Sequence, residues 1–142
     1  MNEICQPVET KFGIINGRDS LILDYFDFDC DENTLMLSGS LSLTNRFMEH
    51  ISAQLDAEQI LYAVTFRGVM AFSVLELDSW SKLNRDRDSQ SCFDEITNSV
   101  WQMQMISNGK ITAQHRHFTF STYDDVIDVI CHDFKMNFRK TL

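Results

Sequence analysis

Hydrophobic positions alternate most strictly between Gln59 and Leu77, in the run QILYAVTFRGVMAFSVLEL. Its even positions Ile60, Tyr62, Val64, Phe66, Met70, Phe72 and Val74 are large and apolar, while odd positions such as Ala63, Thr65, Arg67 and Ser73 are smaller and mixed. Period-two segregation is the mark of a strand with one face on a core. A straight strand of that length would span roughly 60 Å, too long for a chain of 142 residues. Gly68 stands mid-run, where glycine marks a bend or bulge. A tight hairpin at Arg67–Gly68 is the rival reading. The bent strand is preferred, because only that register keeps the large side chains on one face.

The same alternation predicts a strand at 34–44, where Leu35, Leu37, Leu41 and Leu43 alternate with Met36, Ser38, Ser40 and Ser42. One wet face implies antiparallel pairing. The preceding run LILDYFDFD, residues 21–29, is its partner in a hairpin with the tip at Asp29–Asn33. Phe47, Met48, Ile51 and Leu55 fit one face of a helix within 44–58, with a loop into the central strand as the other reading. Residues 1–10 read as an irregular lead-in, and Lys11–Ile15 as a short strand closed by Asn16-Gly17. The segment from Asp78 to Glu95 is polar and aperiodic, as expected of a long surface loop. Asn98–Ile106 reads as a short helix capped by Asn98 or Ser99 and ended by Asn108-Gly109. Ile111–Ser121 reads as a strand. Thr122, with Asp125 three positions on, has the spacing of a capping box and predicts a helix burying Val126, Ile127, Val129 and Ile130. The last run alternates Phe134, Met136 and Phe138 with Lys135, Asn137 and Arg139, a strand with a basic outer face. Together these elements predict one α+β domain over residues 1–142, with a mostly antiparallel, strongly bent sheet and two or three short helices.

Composition adds limits. An apolar content of 44% and an aromatic content of 11% are those of a folded protein with a core. No apolar run has membrane length, and MNEICQPVET lacks a basic stretch followed by an apolar one, so a cytoplasmic location is expected. Cys5, Cys30, Cys92 and Cys131 form no CxxC pair, which argues for free thiols over a zinc ribbon, a redox pair or disulfides. The net charge of −9, from 21 acidic and 12 basic side chains, repels phosphate backbones and attracts basic proteins.

The acids concentrate in one place. Asp24, Asp27, Asp29, Asp31 and Glu32 carry five negative charges with no base between them. Asp27, Asp29 and Asp31 have D-x-D-x-D spacing, but the calcium loop needs glycine and glutamate where Glu32 and Ser38 stand. The segment is therefore a candidate contact for a basic partner, with Asp86, Asp88 and Trp80 of the polar segment as further candidates. His115 and His117 share a strand face and are the alternative site, for a metal or a small ligand; solvated histidines beside Arg116 are the simpler expectation. No GxSxG, HExxH or GxGxxG occurs, and paired acids such as Asp94–Glu95 and Asp124–Asp125 read as helix-start residues. No catalytic residue, metal or cofactor is assigned.

The segments VTFRGVMAFSV (64–74) and HFTFSTYDDVIDVI (117–130) resemble a pattern in small acidic bacterial proteins regarded as immunity proteins of toxin–immunity systems. The shared features are a glycine within a strand and a T-x-DDVIDV-type helix start, over about a quarter of the chain. The resemblance implies a cytoplasmic inhibitor that binds a toxin domain, and it transfers no active-site residue. With the charge pattern, it makes a charge-complementary inhibitor of a basic toxin, a nuclease for example, the leading expectation. A self-associating structural subunit is a third.

Overall fold

The central run changes sheets in its middle. The computed structural model describes residues 2–17, 19–42, 59–83, 91–107 and 109–141. In chain order the strands are β1 (Ile4–Pro7), β2 (Leu21–Asp29), β3 (Thr34–Leu41), β4 (Gln59–Arg67), β5 (Ala71–Glu76), β6 (Phe93–Thr97), β7 (Arg116–Ser121), β8 (Asp125–Cys131) and β9 (Asp133–Thr141). Helix α1 (Leu77–Leu83) follows β5 and α2 (Val100–Ile106) follows β6. All pairings are antiparallel. One bent sheet was expected; there are two, of order β1-β6-β7-β8-β5 and β2-β3-β4-β9.

What joins them is a single bent ribbon. β4 pairs with β9 in one sheet, and β5 pairs with β8 in the other. Arg67 is opposite Asp133 and Ala71 is opposite Ile130, so residues 68–70 face only Cys131 and His132. The extra residue is a bulge, and bulges bend strands. Gly68 sits at it with φ +64°, a backbone region that favours glycine. The bent strand is thus the right reading of 59–77, and the even positions keep one face across the bend, Phe72 opposite Val129 and Val74 opposite Ile127 of the core. Ile60, Tyr62, Val64 and Phe66 are buried as expected and Phe72 packs against the core; within the bulge Val69 is buried in place of Met70, and Val74 is exposed at the rim.

The core lies between the sheets. Leu21, Leu35, Leu37, Leu41 and the buried face of β4 meet Phe93, Phe118, Phe120, Ile127 and Val129. The aromatic rings are its centre, with Phe93 5.7 Å from Phe118, tilted at 58°, and 5.0 Å from Phe134, edge-to-face at 67°. Tyr62 reaches through to donate its hydroxyl to the Ile22 carbonyl at 3.0 Å. The β2–β3 hairpin forms with the expected tip, Asn33 at φ 53° closing its turn. β9 is the expected last strand, with Lys135, Asn137 and Arg139 exposed.

Other expectations need correction. The lead-in contains a strand, β1, which pairs with β6; Pro7 is tolerated because β1 is an edge strand. Lys11–Ile15 has only an isolated Thr10–Gly13 bridge. The polar segment 78–95 begins as α1, whose first amides are capped by the Glu76 carboxylate, at 2.7 Å to Asp78 N and 3.0 Å to Ser79 N. It ends inside β6. The helix expected after Thr122 is β8. Thr122 Oγ1 does accept from Asp125 N at 3.1 Å, as a capping residue would, but the bond closes the β7–β8 turn. Strands on both sides of the β-branched run 126–130 decide its conformation. α2 is as expected, with Ser99 as N-cap. Asn108, the end of the strand expected over 34–44 and the helix expected within 44–58 fall outside the described residues.

Candidate functional site

β2 is an edge strand of the four-stranded sheet, so its outer side pairs with no strand among the described residues. A register shift between Leu23 and Tyr25 throws Asp24 out of the ladder. The approach there is so close that any side chain at Gly39 would run into the Ile22 carbonyl. After the bulge Tyr25, Asp27 and Asp29 point to the outer face, while Phe26 and Phe28 point inward. Tyr25 is 69% exposed and Phe26 41%. Phe26 and Phe28 stack on Phe72 of β5 at 5.6 and 5.0 Å, and exposed Val74 follows on the same side of β5.

The predicted acids surround these rings. Asp24, Asp27, Asp29, Asp31 and Glu32 are all exposed, and among the described residues none is in an ion pair. Asp29 Oδ1 accepts from the amides of Asp31 and Glu32 at 3.0 and 3.2 Å, so this carboxylate also shapes the tip. Asp86 and Asp88 fall outside the described residues. Trp80 is no surface anchor: it is 8% exposed and its indole N–H donates to Asp128 Oδ2 at 3.3 Å.

The histidines are not solvated. His117 is fully buried on the outer side of the five-stranded sheet, beside α2. Its Nε2 lies 2.7 Å from Asp128 Oδ1 and its Nδ1 lies 2.7 Å from Ser99 Oγ. Ser99 Oγ also accepts from Gln102 N at 3.0 Å, as the α2 cap. Ser99 Oγ bridges the first turn of α2 and the imidazole, whose other nitrogen faces the Asp128 carboxylate. Serine, histidine and aspartate thus form a chain, but all three are buried and the serine oxygen is committed to the cap. The chain fastens both helices to the sheet: α2 through Ser99 and the Trp101 ring, 5.3 Å from His117, and α1 through Trp80. His115 Nδ1 accepts from Thr112 N at 2.9 Å, and its ring stacks on His132 at 4.5 Å. Neither histidine is offered to a metal, and the described residues contain no group of three or more potential ligands placed for one.

Asp94, read as a helix-start residue, is fully buried in β6 opposite Thr119, and Asp128 faces Thr119 from β8. The sequence signal for this buried polar row was the alternation of His117 and Thr119 with Phe118 and Phe120, two faces that are both inside. The outer face of the four-stranded sheet holds the other feature, an open groove of ≈ 410 Å³ over Ser38, Leu61 and Ala63, between Tyr25 and Asn137. Arg116 is held bidentately by Glu95 at 2.8 and 2.9 Å, which keeps its guanidinium above its ordinary value. No described helix is long and apolar enough to cross a membrane. Comparison with protein-family models, with curated proteins and with solved structures gives no significant match.

Proposed function

We propose that the protein is a binding module that covers a basic surface of another protein, an inhibitor of immunity type, with the β2–β3 hairpin as its contact element. The observation that carries this reading is the surface of that hairpin. Exposed carboxylates, in no ion pair among the described residues, surround Tyr25 and Phe26 on a strand whose outer edge pairs with no described strand. Protein interfaces draw most of their energy from a few aromatic anchors inside a polar rim. Complementary charge at the rim speeds the encounter and selects the partner. Asp27, Asp29, Asp31 and Glu32 supply that charge, and Tyr25 and Phe26 take the anchoring role first given to Trp80. A nuclease domain suits such a face, because a groove built for phosphate is cationic and carboxylates can occupy it. The narrower identification as a bacterial toxin, met in the cytoplasm, rests on the sequence resemblance, and four free thiols are in keeping with a reducing compartment.

The test is affinity capture at low and high salt, from the source cell and against the product of the adjacent reading frame. A variant with Asp27, Asp31 and Glu32 changed to Ser serves as control. The expected result is one basic protein, released by salt, lost with the control, and toxic to cells unless co-expressed with this chain. A partner held equally by the control at both salts would overturn the charge assignment; a captured protein that is neither basic nor inhibited would overturn the reading.

A further inference from the structure

The registers of β2, β3, β4 and β9 set the outer face of their sheet in rows. One row is Asp27–Met36–Thr65–Lys135, and the next is Tyr25–Ser38–Ala63–Asn137. Each row runs from the β2 edge to the β9 edge. The first has an exposed acid at one end, an exposed base at the other, and uncharged groups between. The second has a protruding ring at one end and the groove at its centre.

We propose that this face binds a second copy of the chain, face to face, about a two-fold axis parallel to the strands and midway between β3 and β4. That operation lays β2 of one copy over β9 of the other without shifting the rows. Asp27 then meets Lys135 of the second copy, and Lys135 meets its Asp27. Tyr25 of each copy comes down over Asn137 and Ala63 of the other, into the groove. A two-fold axis perpendicular to the strands is excluded by charge, since it would place β2 over β2 and acid over acid. The interface is isologous, so each favourable contact occurs twice. The neighbouring row ends in Arg67 and Asp133, which neutralise each other through two bonds of 2.8 and 3.0 Å, so Asp29 meets no net negative charge there.

Size sets the strength. Four strands about 4.8 Å apart and eight residues long give a face of roughly 500 Å² per copy, hence roughly 1,000 Å² in total, at the lower limit for a specific interface. The dimer is therefore weak and concentration-dependent. It also covers Asp27 while leaving Asp31, Glu32 and Phe26 free, so a partner using Asp27 competes with it.

Sedimentation equilibrium over the micromolar to millimolar range tests this, with Asp27→Lys, Lys135→Asp and the combined swap. Both residues are exposed, so the fold is retained, as far-UV circular dichroism checks. The two single changes alter net charge by two in opposite directions. If overall repulsion governed association, they would shift it oppositely. The interface instead requires both to weaken the dimer, by about tenfold or more, and the swap to restore it, while Tyr25→Ser weakens it without a charge change. A protein monomeric at every concentration, single variants that shift in opposite senses, or a swap that stays dissociated would each overturn the proposal.

Discussion

The imidazole of His132 lies against Gly68, so closely that a Cβ on residue 68 would stand 2.1 Å from His132 Cδ2. Both strands of the ribbon turn from one sheet to the other at this point. Gly68→Ala therefore meets two penalties, the clash and a positive φ. A loss of about 2–4 kcal/mol is expected. Gly68→Ala combined with His132→Ala removes the clash and keeps the φ penalty, so part of the loss returns. Urea unfolding of Gly68→Ala, His132→Ala and the double variant measures this; equal losses in Gly68→Ala and the double variant would refute the contact as its cause.

Among the described residues Asp128 holds donors from two different elements, Trp80 and His117, and Ser99 holds one helix end. Asp128→Ala leaves the buried His117 and Trp80 donors without an acceptor and is expected to cost about 2–4 kcal/mol. Ser99→Ala removes the α2 cap and is expected to cost about 1 kcal/mol. Because both act on His117, the double variant is expected to lose less than the sum of the two. Tryptophan fluorescence should respond strongly to Asp128→Ala, through Trp80, and weakly to Ser99→Ala.

Burial pushes the Cys92 thiol up to about 12, and nearby Asp94 adds to it. Burial likewise pushes the Cys131 thiol up to about 12, partly offset by Arg116 and reinforced by Asp133 and Glu95. In the unfolded chain both ionise near 9.0. Between those limits the unfolded state loses protons that the folded state keeps. The contribution to stability is whole below pH 9 and is lost as pH rises toward 12, at about 1.4 kcal/mol per pH unit for each thiol. Burial raises the Tyr62 hydroxyl as well, with Asp24 adding to it, which steepens the fall above pH 10. Denaturant titrations at successive pH values should show a plateau and then this decline, flattened in a Cys92→Ala/Cys131→Ala variant. At pH 8 iodoacetamide should label Cys30 in the native protein and spare Cys92 and Cys131, read by mass spectrometry.

The hairpin acids are not equivalent for folding. Asp27, Asp31 and Glu32 accept no hydrogen bond from the described residues at the tip, whereas Asp29 accepts two. Changing the first three to Ser should leave the melting temperature unchanged or slightly higher, as like charges are removed. Asp29→Ala should cost about 1 kcal/mol. A calorimetric scan of each variant separates them.

Legibility in the sequence followed from whether local pattern and tertiary pairing agreed. β2, β3, β4 and β9 each have one core face, and alternation revealed them. β8 is buried on both faces, so its Val-Ile-Asp-Val-Ile run has no period of two to read, and Thr122 with Asp125 offers the same local bond to a helix start and to a hairpin turn. α1 was missed because its cap, Glu76, belongs to the end of a strand rather than to the Ser/Thr/Asp/Asn set. The acidic hairpin was visible because charges next to one another in sequence remain together on a hairpin. The Ser99–His117–Asp128 chain was not, since its members come from a loop and two strands and meet only when the sheet forms. The bulge at Gly68 was anticipated as a bend, but the change of sheet there depends on which strands stand opposite, which one strand alone cannot state.

The bent ribbon also sets the order in which the protein can assemble. The β2–β3 hairpin closes over a four-residue turn and is a local event. The ribbon pairs residues 59–76 with 125–141, so its arms meet only after the whole of α1, β6, α2 and β7 has been gathered into one closed loop. Loop closure on that scale costs entropy before any contact repays it, and high contact order slows folding to the millisecond-to-second range. Both sheets depend on this one late pairing. Neither is complete without it, and the protein is therefore expected to gain its two sheets in a single cooperative step rather than one after the other.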